Sequence, residues 1–184
     1  KGCNFAEGCS FAEGCRFAEV SHFARGCRFA EDCYFARGCS FAEDCSFGER
    51  CSFAEGCSFD KWCHFAEGCH FADGCRFDKW CHFASRCYFA RGCSFAEDCS
   101  FGELCSFADE CCFEGHKCKP GNPFIAVDRC GSQERKTYFF NCTDGIYVRA
   151  GCFFGTLEVF RAKVLADCGG DRTKLKALQY LGFA

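Results

Sequence analysis

The sequence has no methionine, only two prolines in 184 residues, and no threonine before Thr137. It also lacks a run of about twenty apolar residues, a signal-peptide pattern and, despite 24 cysteines, any Cys-x-x-Cys pair. Each gap excludes something. Without a long apolar run or a signal peptide, nothing argues for membrane insertion or export. Without Cys-x-x-Cys, the cysteines do not have the close ligand spacing of a tetrahedral zinc site. Without threonine in the longer part of the chain, there is no flat Thr array of the kind an ice-binding surface uses. The chain begins inside a repeat and without Met, which is compatible with the removal of a leader.

What is present is a repeat of six. Cys-x-Phe recurs from Cys3-Asn4-Phe5 to Cys111-Cys112-Phe113, nineteen hexads without an insertion. Phe holds its place in all nineteen and Cys in eighteen, with Ser21 the one substitute. Cys at about a tenth of residues would ordinarily suggest a secreted disulfide scaffold. Such scaffolds place Cys irregularly, whereas a strict period beside Phe marks a small core residue, so reduced thiols and a cytoplasmic, reducing setting are expected.

In an extended strand Cys and Phe, two apart, share one face, and the intervening Ser, His, Arg or Tyr points away. The next three positions are Ala, Gly or Asp, then usually a charged residue, then often Gly or Asp, which suits a tight corner with left-handed backbone. Period six cannot keep one face of a helix. Each hexad is one short strand and one turn.

The decorations give the number of hexads per coil. Asp60-Lys61-Trp62-Cys63-His64 returns as Asp78-Lys79-Trp80-Cys81-His82, a shift of 18. Cys33 to Cys51 returns as Cys87 to Cys105, a shift of 54, with Arg50 replaced by Leu104. Both shifts are multiples of three hexads and not of four. The fold class predicted is mainly β: a triangular parallel β-helix (a β-solenoid) of 18 residues per coil over 1–114, a linker over 115–123, and a small α+β capping domain over 124–184. Strands in successive coils would stack about 4.8 Å apart, giving a rod roughly 30 Å long.

This pattern of small residue, x, large apolar residue, then Ala, Gly or Asp resembles the hexapeptide repeat of left-handed parallel β-helices, which implies the left hand. The departures are Phe where that family usually has Leu, Ile or Val, and Cys where it often has Ser, Ala, Thr or Val. After the repeat, Phe124 to Val127, Thr137 to Asn141 and Ile146 to Arg149 are predicted strands, the last two joined at Thr143-Asp144-Gly145. Thr156 is a predicted N-cap for a helix to about Asp167 that Gly169-Gly170 stops. Leu175, Leu178 and Leu181 suggest a second. The segment Asp144 to Phe160 (DGIYVRAGCFFGTLEVF) resembles a C-terminal segment of uncharacterised bacteriophage and prophage proteins, a resemblance that implies no activity.

Two outward columns are candidate sites. Trp62 over Trp80, with Lys61, Lys79, His64 and His82, would form a recognition patch, because Trp is enriched in binding hot spots; the alternative is a duplicated coil whose rings shield a corner. Glu13, Glu31, Glu49, Glu67 and Glu103 form an acidic column, interrupted by Ser85, in a repeat region of net charge −8 followed by a remainder of +5. Repeated like charges repel, so the column would bind a basic partner or imitate nucleic-acid phosphates, or else simply solvate a face beside Arg50 and Arg86. The later Cys118, Cys130, Cys142, Cys152 and Cys168 are irregularly spaced and leave a disulfide or metal site open.

The function expected is a non-enzymatic binding or scaffold protein with a protein partner. In the version implied by the phage resemblance, it is an accessory protein engaging a host factor. A DNA-mimic inhibitor and a self-assembling solenoid are the alternatives. An acyltransferase, implied by the β-helix resemblance, is disfavoured because no loop interrupts the hexads. No catalytic residue, metal or cofactor is expected, nor direct nucleic-acid binding by an acidic surface. The first coil shows no cap, so an N-end to N-end homodimer is expected.

Overall fold

The structure, a computed structural model, describes residues 2–120, 124–130, 135–150 and 153–168. It divides into two units, Lys1–Gly121 and Asn122–Ala184. The first is the expected parallel β-solenoid. Each of the nineteen hexads contributes a two-residue strand, β1 (Asn4–Phe5) through β19 (Cys112–Phe113). Every third strand is a neighbour: β1-β4-β7-β10-β13-β16-β19 on the first face, β2-β5-β8-β11-β14-β17 on the second, β3-β6-β9-β12-β15-β18 on the third. Partners are 18 residues apart and in register, as in Phe65 with Phe83. One coil is therefore three hexads.

The hydrogen bonds explain why so short a strand persists. Strand N–H groups donate back to the previous coil, as His22 to Cys3 at 2.8 Å and Ala24 to Phe5 at 3.0 Å. Corner N–H groups donate forward, as Gly8 to Arg25 at 3.0 Å. The third corner residue has left-handed backbone throughout the repeat; Gly fills many of these positions, but Val20, Asp32, Arg50, Trp62, Trp80 and Leu104 also do, with φ between 55° and 60°. A left-handed conformation costs a non-Gly residue roughly 1–2 kcal/mol, and the bonds on both sides of the corner hold it there.

The interior is aromatic. Rings 18 residues apart stack at 4.7–5.2 Å between centroids, as Phe53 on Phe71 and Phe71 on Phe89 at 4.9 Å. Rings from the other two faces meet them edge-on, as Phe65 and Phe77 do to Phe71 at 5.0 Å. Both geometries suit the ring quadrupole. The thiols fill the angles between faces. Each repeat Cys from Cys27 to Cys111 donates its S–H to the carbonyl 21 residues earlier, at 3.2–3.6 Å. Burial pushes the Cys27 thiol up, and the Cys33 thiol up to about 11. Ser21 is buried in the same place; its hydroxyl donates to Ala18 O at 2.9 Å and accepts from Cys3 N–H at 3.3 Å.

The stretch read as a linker differs from that reading. His116–Lys117 forms β20, which turns back through Glu114-Gly115 and pairs antiparallel with β19, Cys112 opposite Lys117. Gly115 takes φ 87° there, the left-handed backbone that a two-residue hairpin turn needs. Cys118 N–H donates to Cys111 O at 2.8 Å, so Cys118, buried, follows the last thiol of its face.

The second unit is a four-stranded antiparallel sheet, β21 (Phe124–Cys130), β22 (Arg135–Cys142), β23 (Gly145–Ala150) and β24 (Phe153–Thr156), with helix α1 (Leu157–Cys168). Thr156 caps α1, its Oγ1 accepting from Val159 N–H at 3.4 Å. Tyr138, Phe140, Cys142, Val148 and Leu157 are buried. The strand β24 was not expected. Gly155 hides it in the sequence, and its aromatics secure it: Phe154 stacks on Tyr147 at 5.6 Å, and the Arg149 guanidinium lies 5.2 Å over the Phe154 ring. The helix stop at Gly169-Gly170 and the second helix fall outside the described residues. Among the described residues no helix is long and apolar enough to cross a membrane.

Candidate functional site

The Trp pair lies at the corner between the first and second faces. The commonest corner of the repeat is Ala, a charged residue and Gly, as in Ala66-Glu67-Gly68; Asp takes the first of these places only at Asp60 and Asp78, ahead of Lys-Trp. The structure shows why they occur together. Asp60 Oδ1 accepts from Lys61 N–H at 2.8 Å and Asp78 Oδ1 from Lys79 N–H at 2.7 Å. These side-chain bonds tie down the two corners that place Trp in the left-handed region, φ 59° at both. Forward bonds from Trp62 N–H to Lys79 O and from Trp80 N–H to Glu97 O measure 3.2 Å. The indoles stack at 5.4 Å and 10° yet stay 39% and 41% exposed.

The energetics do not require Trp here. The stack contributes about 0.5–1.5 kcal/mol, the strain costs roughly 1–2 kcal/mol per residue, and Gly at the same place in other coils makes the corner without strain. Rows on either side are charged: Arg25 pairs with Asp44 at 2.6 Å, and Lys79 with Glu97 at 2.9 Å. On the adjoining second face His64 and His82 occupy neighbouring rungs, their rings 5.5 Å apart. Burial, then the neighbouring His64, holds the His82 pKa below the usual imidazole range. Trp62, Trp80, Lys61, Lys79, His64 and His82 are thus brought together on one corner and the face beside it.

The acidic column lies at the next corner, and it is less bare than its sequence suggests. Arg50 contacts Glu31 at 2.5 Å, Asp32 at 2.9 Å and Glu49 at 3.2 Å; Arg86 contacts Glu67 at 2.5 Å. Glu13 and Glu103 make no ion pair among the described residues. Where the 54-residue copy replaces Arg50 by Leu104, the rung below carries Arg86 in place of Asp32, so an arginine there would face a like charge. Leu104 is left 74% exposed.

No protein-family model matches the chain, and no curated protein and no solved structure matches it. A shallow groove of about 700 Å³ on the first face is lined by Asn4, His22, Ser40, Ser58, Asp60 and Asp78, among others. It reaches the Trp corner through the two capping aspartates, a link that the sequence signals only through the pairing of Asp with Lys-Trp. Among the described residues no group of three or more His, Cys, Asp or Glu is placed to hold a metal ion. Of the irregular cysteines, Cys118 and Cys142 are buried in separate units. Cys152 and the side chains of Cys130 and Cys168 lie outside the described residues.

Proposed function

We propose that the chain is a non-enzymatic binding scaffold, in which the solenoid holds the Trp62–Trp80 corner rigid against a protein partner. One observation carries this reading: two exposed, stacked indoles occupy strained corner positions that the other coils fill with Gly8, Gly26, Asp44 and Asp98, none of them a large apolar residue. A rigid anchor loses little side-chain entropy on binding, which favours aromatic hot spots. The phage-like segment Asp144 to Phe160 suggests an accessory protein acting on a host factor.

The test is paired capture from host extract with three forms: wild type, Trp62→Ala/Trp80→Ala, and a form with Glu13, Glu31, Glu49, Glu67 and Glu103 changed to Gln. A partner held by wild type and the Gln form but lost by the Trp form supports the proposal; retention by the Trp form refutes it. Loss only in the Gln form would favour the DNA-mimic alternative, against which Arg50 and Arg86 weigh by neutralising the middle of the column. Self-pairing through the first coil is a separate proposal that light scattering reads directly.

A further inference from the structure

The solenoid register leaves His64 and His82 little choice of neighbour. They sit opposite one another on β11 and β14, in adjacent rungs of a parallel, in-register ladder, so both rings leave the second face in the same direction. Their centroids are 5.5 Å apart with planes at 28°. Both are exposed. In the next rung Ser100 shares a hydrogen bond with His82 Nδ1 through its hydroxyl. The same bond joins His22 Nδ1 to Ser40 on the first face, so a His with Ser one rung later is a local unit that fixes the ring. At His82 this leaves Nε2 directed away from the Ser100 contact. His64 makes no side-chain hydrogen bond among the described residues.

We propose that His64 and His82 form a two-imidazole clip for a borderline divalent transition-metal ion of the Ni²⁺, Cu²⁺ or Zn²⁺ type, with the remaining coordination positions open to water. Imidazole nitrogen is the donor such ions prefer. Two metal–nitrogen bonds of about 2.0–2.1 Å span at most about 4.2 Å between the donors, which rings 5.5 Å apart between centres reach by tilting toward each other. A metal-bound imidazole usually hydrogen-bonds through its second nitrogen, which fixes ring orientation, and Ser100 fills that role at His82. The thiols of the repeat do not compete, because they point inward and donate to backbone carbonyls. Of the two lysines that stand three residues before these histidines, Lys61 and Lys79, the second pairs with Glu97 at 2.9 Å.

The only two tryptophans of the chain, Trp62 and Trp80, each precede one of these histidines by two residues and supply the reporter. Wild-type protein is titrated with Ni²⁺ alone, without added thiols, while indole emission is followed; bound Ni²⁺ is counted independently by equilibrium dialysis. Ser occupies the place of these histidines in other rungs of the same face, at Ser46 and Ser100, so His64→Ser and His82→Ser preserve the fold. The expected result is one saturable Ni²⁺ per chain with quenching in wild type, loss of both signals in either Ser variant, about tenfold weaker binding in Ser100→Ala, and no change in His22→Ser or His70→Ser. Absence of a stoichiometric event in wild type, or its survival in the His64→Ser/His82→Ser double variant, overturns the proposal.

Discussion

Replacing Phe71 by Ala removes a ring from the middle of the solenoid. Phe71 is fully buried, stacks on Phe53 and Phe89 at 4.9 Å, and is met edge-on by Phe65 and Phe77 at 5.0 Å. Burial of such a ring is worth about 1.5–3 kcal/mol, and each aromatic pair adds about 0.5–1.5 kcal/mol. The surrounding rings are fixed by their own hydrogen-bonded rungs and cannot collapse into the space, so the cost should sit near the upper end of the usual range for Phe→Ala, about 4–5 kcal/mol. Phe17 supplies the comparison. It is only half-buried and has a stacked neighbour on one side, Phe35 at 4.9 Å, so Phe17→Ala should cost about half as much. Urea unfolding followed by indole emission measures both, since Trp62 and Trp80 lie in the coils that contain or adjoin Phe71. Equal losses for the two variants, or a loss below about 1.5 kcal/mol for Phe71→Ala, would show that the stacked rings do not hold the rod together.

Gly48→Ala should destabilise more than Gly26→Ala, because a Cβ at Gly48 would lie 2.6 Å from Glu31 N, whereas at Gly26 the space is open and only the left-handed backbone, φ 72°, costs roughly 1–2 kcal/mol; thermal melts of the two variants compare them. Arg50→Leu should cost no more than about 1 kcal/mol despite breaking three contacts, since all the partners are solvent-exposed; chemical denaturation reads this. A neutral folded-state preference at His82 means that the unfolded chain takes up its proton more readily. The contribution of His82 to stability is therefore present above about pH 6.5 and falls as the pH drops through the depressed folded-state value, which His82→Ser should abolish in melts across that range. With Cys33 pushed up to about 11, only about one thiolate in a thousand exists at pH 8. An aromatic disulfide reagent should therefore modify exposed Cys3 at once and Cys33 only on unfolding.

The period of six and the shifts of 18 and 54 were sufficient to read the coil, the inward Cys and Phe, and the stacking of Trp62 over Trp80. They work because an in-register solenoid converts sequence separation directly into spatial neighbourhood. What they do not encode is how side chains resolve conflicts inside a column. The capping by Asp60 and Asp78 depends on bonds inside a single corner, whereas the sharing of the Ala18 carbonyl by Ser21 and Cys39 and the neutralisation of the acidic column by Arg50 depend on bonds between rungs. The strand at His116–Lys117 escaped because a two-residue hairpin between Pro-containing and repeat sequence carries no period of its own. In the second unit β24 escaped because its stability comes from ring contacts with β23 rather than from alternation.

The backward strand bonds and forward corner bonds make every coil equivalent to the one before it, which gives the chain a simple rule for changing length. Loss or gain of eighteen residues shortens or extends the rod and leaves every outward column above the change aligned with the same column below. Loss or gain of a single hexad keeps each Cys and Phe inside but turns everything beyond it by one face. A slip of six residues between Trp62 and Trp80 would separate the two indoles onto different corners without disturbing the core. Any partner that read this surface would require the eighteen-residue frame, whereas the fold alone is satisfied by six.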